Sequence, residues 1–442
     1  MMRTDPRFLA LMCGAALVSG CSILGSREKV TPTLGERIAV LVNEIDIAID
    51  SETAAAPMAL PAPVANADWA QSGGNAAKLM EHVALGSSLG HAWTVSIGEG
   101  NSRSRRLGGP PVVSGGKIFT IDTVGTVRAF DATSGAAVWE AGFGDPEGDR
   151  DLMYGGGVAA DGGRIYATNG LGFVAALDAA TGAPVWTVRP GGPLRGAPTV
   201  ADGNVYVISH DNQIYSLDAA DGSTNWSNTA ALEIAGVFGN GSPAVARGTV
   251  IAGFSSGELN AYRYENGRMV WQDALSRTSI STGVAAISDI DADPVIADGI
   301  VYAIGQGGRM VALDILSGQR IWELNMAGTS TPWVAGEWLF AVNDQAQLIA
   351  VHRMTGKIRW INQLPRWEDE EDKKGPIRYH GPVLAGGRLI VAGNNGALIN
   401  VNPTDGSFQS QADVGGPVTF EPVVAGGMLY LLTGEGRLIA YR

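Results

Sequence analysis

The chain has 442 residues and only two cysteines, Cys13 and Cys21. Both lie within the first 21 residues, so everything downstream is free of thiols. A disulfide framework, a thiolate metal centre and a cysteine nucleophile are thereby excluded from the body of the protein. Charge is scarce as well, with Asp, Glu, Lys and Arg at 17%, against about a quarter in an average chain. What charge there is leans acidic, with a net value of −13. A chain of this sign lacks the basic footprint that nucleic acid requires and gains nothing from an anionic leaflet. The five histidines, His82, His91, His210, His352 and His380, show no metal-ligand spacing. Gly-x-Ser-x-Gly occurs at 86–90 and 253–257, each followed by a strand pattern and not by the helix an elbow needs, so a hydrolase nucleophile elbow has no support. Gly305-Gln306-Gly307-Gly308 has no helix pattern after it and reads as a hairpin turn, not a phosphate cradle.

The amino terminus lacks a run long enough to cross a bilayer. Arg3 and Arg7 precede an apolar stretch from Phe8 to Val18, too short for a spanning helix but suited to a signal peptide. It ends Val18-Ser19-Gly20-Cys21, which resembles a bacterial lipobox. That resemblance implies cleavage before Cys21, lipidation of Cys21 and anchoring by acyl chains; Ser22, in place of Asp, implies sorting to the outer membrane. Residues 1–20 are thus expected to be a signal peptide. Residues 21–90 are expected to be a lipidated terminus and flexible linker, because Pro57, Pro61 and Pro63 sit among alanines. Within it, the β-prone run from Arg37 to Val42 could add a strand to some edge.

Glycine, by contrast, is abundant, at 61 residues, and it recurs in register. The phrase Ala129-Phe130-Asp131 through Gly135 to Trp139 returns as Ala176-Leu177-Asp178 through Gly182 to Trp186. It returns again around Gly222 and Trp226, Gly267 and Trp271, Gly318 and Trp322, and Gly356 and Trp360, with His352 in the Asp slot of the last. A second phrase, Pro-x-Val-x-x-Gly-x-apolar-aromatic, precedes each one; Pro198 to Tyr206 and Pro422 to Tyr430 are examples. Short apolar alternations bounded by Gly and Asp are the mark of strands joined by tight turns. Trp93, Trp139, Trp186, Trp226, Trp271, Trp322 and Trp360 recur about every 44 residues, a period that matches propeller blades of several strands each.

Eight units can be counted. The eighth, from Pro422, stops at Arg442 after its third strand, and a surplus strand, Ala92 to Ile97, stands at the start. The fold expected is all-β, a single eight-bladed propeller over residues 91–442, its ring closed by that N-terminal strand.

The Ala-x-Asp-x-x-x-Gly-x-x-x-Trp phrase resembles the tryptophan-docking motif of quinoprotein (PQQ-type) propeller repeats. There the indole packs on the neighbouring blade, which implies a structural docking role for the seven tryptophans. A lipoprotein with one such propeller resembles the BamB family of the outer-membrane β-barrel assembly (BAM) machinery. Ser288-Asp289-Ile290-Asp291-Ala292-Asp293-Pro294 is similar to that family's Ser-Asp-x-Asp loop. The loop one blade earlier, Leu232-Glu233-Ile234-Ala235-Gly236, keeps its two aliphatic positions but has Ala235 where enteric members carry Arg. The resemblance implies that Leu232, Ile234, Asp289 and Asp291 contact the POTRA domains of a BamA-type barrel protein.

It also implies a non-enzymatic scaffold without cofactor that assists folding and insertion of barrel proteins, with unfolded clients as a second class of partner. Asp289, Asp291 and Asp293 alternate like a calcium loop, but Pro294 stands where such a loop needs Gly, so an acidic surface loop is expected. Trp367 to Pro376 reads as a charged, solvated insertion whose Trp367 is a candidate contact. Two alternatives remain at this stage, a periplasmic PQQ-dependent dehydrogenase-like enzyme and a propeller that binds a ligand in its central channel. The first lacks the vicinal cysteine pair of the quinoprotein enzymes.

Overall fold

A computed structural model describes residues 47–144, 154–232, 239–275 and 288–442. The described residues hold eight four-stranded antiparallel meanders, the blades of one ring. Blades 1 to 7 occupy residues 112–142, 156–188, 199–229, 244–274, 295–324, 333–363 and 379–413. Blade 8 takes Val423–Ala425, Met428–Leu432 and Arg437–Tyr441 from the carboxyl end and its outermost strand, β1 (His91–Ser96), from the amino end. β1 runs antiparallel to the last strand, with Trp93 opposite Ala440 and Ser96 opposite Arg437. The closure expected from the truncated eighth unit is therefore present. It pairs two strand edges that would otherwise be open.

Burial follows strand order within each blade. The first strands of blades 1 to 7 touch one another in succession. The second strands are buried throughout, as in Asn204–Ile208 and Trp338–Val342. The fourth strands are largely exposed, and in Thr224–Thr229 Trp226 is the one buried residue, whereas Phe408–Asp413 of blade 7 is exposed throughout. Continuous apolar runs and alternating ones are what double-sided and single-sided burial require.

The repeated phrase locks blade to blade. The Nε1–H of Trp93, Trp139, Trp186, Trp226, Trp271, Trp322 and Trp360 donates to a carbonyl of the next blade at 2.7–3.2 Å. Each indole also lies on the glycine of that blade's third turn; a Cβ on Gly222 would stand 2.7 Å from the Trp186 ring. The turn aspartate explains the rest of the phrase. Asp178 accepts from the amides of Ala180 and Thr181 and from the Thr181 hydroxyl, and Gly182 adopts φ +74°. His352 fills the same slot with a contact to the Thr355 hydroxyl at 3.1 Å.

Blade 7 has Ser410 where the others have Trp. Blade 8, whose fourth strand comes from β1, has no third turn to offer a glycine, so a tryptophan at 410 would have nothing to dock on.

The described part of the expected linker, residues 47–90, is not a tether but a strap laid against the propeller. Ile49 pairs in parallel with Ile358 on the flank of blade 6, followed by one helical turn, Ser51–Ala55, capped by Asp50. From Asn66 to Val83 the strap touches every blade in ring order. Asn66 bonds Val424 and Gly426 of blade 8, and Trp69 pairs with Val113 of blade 1. The Ala70 carbonyl accepts from Ala160 of blade 2, and the Gln71 amide bonds both backbone groups of Val200 in blade 3. Ala76 and Ala77 accept from Val245 of blade 4 and Ile296 of blade 5. Glu81 accepts from the Trp333 indole of blade 6, and Val83 bonds Leu384 of blade 7. The inner edges of the first strands are thus satisfied by the chain itself. Trp69 is fully buried and stacks on Trp333, with centroids 5.9 Å apart. Prolines and alanines suggested a linker because local composition carries no record of these distant edges.

The docking geometry makes a direct prediction. Gly203 and Gly222 both have φ near +75°, but a Cβ on Gly203 meets nothing within 4 Å. Gly203→Ala is expected to cost about 1 kcal/mol, the backbone strain alone. Gly222→Ala adds the clash with Trp186 and is expected to cost about 2–4 kcal/mol. Denaturant midpoints of the two variants provide the measurement.

Candidate partner-binding face

Each first strand begins at one end of the ring and finishes at the other. The entry loops, which join the fourth strand of one blade to the first of the next, therefore share one face. The strap leaves the first strands at the opposite end: Asp68 accepts from Gly115, His82 Nε2 from Gly387, and Val83 from Gly386, all in first turns. The residues implicated by sequence fall on the entry loops into blades 4 and 5. Leu232 is exposed, at 71%, just after Ala231, whose amide and carbonyl are held by Glu258 and Asn212. Ile234 and Ala235 lie outside the described residues, as does Cys21.

Asp289 and Asp291 are not displayed as an acidic surface loop. Asp289 is wholly buried, and its carboxylate accepts from Arg195 Nη2 at 2.7 Å. The Asp291 side chain, 11% exposed, accepts from the same Nη2 at 3.2 Å and from the Gln306 amide. Arg195, 2% exposed, also donates through Nε to the Gly239 carbonyl at 3.3 Å. One guanidinium from the loop into blade 3 thus ties together the loops into blades 4 and 5. A Cβ on Gly239 would overlap Asp291, so the approach depends on glycine there. Arg195 was not singled out from sequence; nothing in Leu194-Arg195-Gly196 points to aspartates nearly a hundred residues away. The reason for the departure from expectation is burial. Two carboxylates enclosed beside one arginine are committed to that arginine before they can serve a partner.

The third aspartate of the loop is buried too. Asp293 accepts from the Ser242 amide at 2.7 Å and from the Ser72 hydroxyl of the strap at 2.7 Å, and lies 3.6 Å from Lys78 Nζ. Farther round the same face, a cleft of about 170 Å³ is framed by Gln306, Ser330, Asn343 and Arg378. It sits beside the insertion, which forms a hairpin of Trp367–Asp369 and Lys374–Pro376. Arg366 stacks over the Trp367 ring at 5.6 Å. Among the described residues no group of three or more His, Cys, Asp or Glu side chains could hold a metal ion.

Burial, and then Asp289, push the Asp291 carboxyl up to about 6, against the pull of Arg195. A carboxyl raised by folding keeps its proton in the folded state between its unfolded value near 4 and about 6. Stability therefore falls as pH rises through that window and stays at the lower level above it. Asp291→Asn removes this dependence. It is expected to gain about 1–2 kcal/mol on the parent between pH 4 and pH 8, read from unfolding curves of both proteins across that range.

Comparison with known proteins agrees with this fold. The family described as outer membrane protein assembly factor BamB matches residues 123–362 and 365–442. BamB of Yersinia pestis is 29% identical over 360 residues, covering 79% of this chain and 88% of that protein. BamB of Escherichia coli K12 is 28% identical over 389 residues, covering 78% and 86%. Among solved structures, BamB from Moraxella catarrhalis superposes with a TM-score of 0.69 at 21% identity, covering 80% of this chain and all of that one. A europium-containing methanol dehydrogenase gives the same TM-score at 14% identity, covering 85% and 98%, a likeness of fold alone. Repeat, closure and family match together make the chain a member of the BamB family of outer membrane protein assembly factors.

Proposed function

We propose that this chain is a non-enzymatic scaffold of the BAM complex, anchored to the outer membrane through lipid on Cys21 and holding the POTRA domains of a BamA-type protein against its entry-loop face. The family match supports the complex, and the observation that favours this face is its division of labour. The opposite end of the bore is occupied by the strap, while the entry end presents an exposed Leu232 on a loop braced by Arg195 and Asp293. An exposed leucine next to an anchored Ala231 is the kind of anchor that a partner's groove takes up. Asp289 and Asp291 act through this scaffold, by fixing the loop, more than by contact. The filled bore also favours a scaffold over an enzyme or a channel-binding propeller, since the axial space at one end belongs to the chain itself. Unfolded barrel clients would meet the fourth strands, whose outer edges carry exposed Val138, Val185, Met269, Ile321 and Phe408.

Leu232→Asp is expected to weaken binding of BamA POTRA domains at least about tenfold, a loss of 1.4 kcal/mol or more, with the unfolding midpoint unchanged. Titration of purified proteins by calorimetry reads both arms, and unchanged affinity would remove Leu232 from the interface. Lysine at Asp289 or Asp291 is a poorer probe because it would disrupt the buried Arg195 pair. Separately, Cys21→Ser is expected to abolish palmitate incorporation and to move the protein from the membrane to the soluble periplasmic fraction.

A further inference from the structure

The strap does more than fill space. Two residues before the first-strand residue paired with Phe119, Tyr166, Tyr206, Ile251, Tyr302, Phe340, Ile390 or Tyr430, the eight blades place Pro110, Gly157, Ala197, Ser242, Asp293, Thr331, Gly381 and Glu421. Only two of the eight are charged, and both are acidic. Lys78, 3% exposed, meets them from the strap: its Nζ lies 3.6 Å from Asp293 and donates to the Thr199 hydroxyl at 3.1 Å. Ser72 Oγ donates to Asp293 at 2.7 Å and stands 3.5 Å from Glu421. Burial, and then Asp293, push the Glu421 carboxyl up to about 7. Burial draws the Lys78 ammonium down while Asp293 and Glu421 draw it up. One cation between two acids, one of them inclined to hold its proton, gives an enclosed cluster close to neutral. The turn that delivers these groups is built for the site. Gly73 and Gly74 have φ +68° and +92°, and a Cβ on either would strike Lys78 or Met80.

Asp293 also belongs to the other face. Its second oxygen takes the amide of Ser242, which ends the loop carrying Leu232, while Asp293 itself ends the loop carrying Asp289 and Asp291. Its own amide donates to Thr331 Oγ1 at 3.1 Å at the entry to blade 6. A single carboxylate therefore joins strap and entry loops. If the strap left the bore, Asp293 would be a buried charge without a cation, and both loops would lose their common post.

We propose that residues 66–84 are a captive peptide ligand of the bore that sets the two partner-facing entry loops, with Lys78 as the positioning residue acting through Asp293. The proposal rests on the reading of those loops as the partner's surface. It extends that reading by giving the amino-terminal region a part in recognition. Just upstream, Ile49 and Asp50 are clamped on blade 6 by the Ile358 backbone and Lys357.

Hydrogen exchange of the full chain tests the coupling. Lys78→Met is expected to speed exchange about tenfold or more in three places, residues 66–84, 239–243 and 288–294, and to leave the second and third strands of the blades unchanged. Ser72→Ala, which removes a single hydrogen bond and keeps the fold, should produce the same pattern to a lesser degree. Adding Asp293→Asn to Lys78→Met keeps an acceptor for Ser242 without an unpaired charge, and should return the entry loops toward the parent rate. Faster exchange confined to the strap, or no change in any of the three regions, would overturn the proposal. The affinity of the same variants for BamA POTRA domains separates it from the reading beneath it. Loosened loops with weakened binding support both, whereas loosened loops with unchanged affinity sustain the coupling and dismiss these loops as the interface.

Discussion

Everything in this molecule depends on an indole lying on a glycine. Seven times, a tryptophan from the outermost strand of one blade covers the third turn of the next and hydrogen-bonds its backbone. The contact demands a residue without a side chain at positive φ, a capped turn to present it, and a large flat partner with one donor. These are the Gly, the Asp and the Trp of the repeated phrase. A ring built from such contacts has a geometric condition, because the eighth blade must receive a partner from the other end of the chain. β1 answers it twice over. It pairs with the last strand, and it carries Trp93, which docks on Gly135 of blade 1. The junction between blades 7 and 8 is the one without a docked tryptophan. There the strap begins and ends its circuit, with Asn66 on blade 8 and Val83 on blade 7.

Closing the circumference leaves the axis to be dealt with. The innermost strand of a blade has a free edge facing its counterparts across the bore, and water or chain must satisfy it. Here the chain does so, which turns the bore from a passage into a packed region on the strap's side. The same solution recurs in the electrostatics. Two enclosed clusters each set a pair of carboxylates, Asp289 with Asp291 and Asp293 with Glu421, beside one cation, Arg195 or Lys78, whereas the buried Asp122 pairs with Arg128. In both clusters, the second acid is pushed up toward its protonated form. An acidic chain with few charges puts several of them in these two clusters, and the clusters sit where loops from different blades must be held together.

The legibility of the fold and of the site differ for a physical reason. Blade count, docking residues and closure were readable because they are local phrases repeated in register, and the missing fourth strand at residue 442 had its complement at Trp93. The strap was not readable. Asn66, Trp69, Gln71 and Lys78 gain their meaning from the edges of blades distant in sequence, and the prolines and alanines around them look like any linker. Gly73-Gly74 was the one local sign of a tight turn. The loop of Asp289, Asp291 and Asp293 failed in the opposite sense. Its sequence suggested exposure, because three aspartates in five residues are usually solvated, and only Arg195 and Lys78, brought by other blades and by the strap, allow their burial. Repetition is visible in one dimension, whereas a bond between non-repeating residues is not.

The same contrast explains why a propeller shared with methanol dehydrogenases can serve as an assembly factor. Docked tryptophans and capped turns determine the ring, and they are indifferent to what the ring does. What individualises this chain lies in the residues that interrupt the repeat: the strap, Arg195, the two acids at the axis and the exposed Leu232. These interruptions are not scattered. The strap, Lys78 and Asp293 form a continuous path from the turn end of the bore to the entry loops, and Arg195 continues it laterally to Gly239 and Asp291. A path of this kind ties the described ends of these loops together without using that face's exposed surface. A scaffold that must present a fixed pattern of loops to another protein needs rigidity supplied from behind, and in this fold the bore is where it comes from.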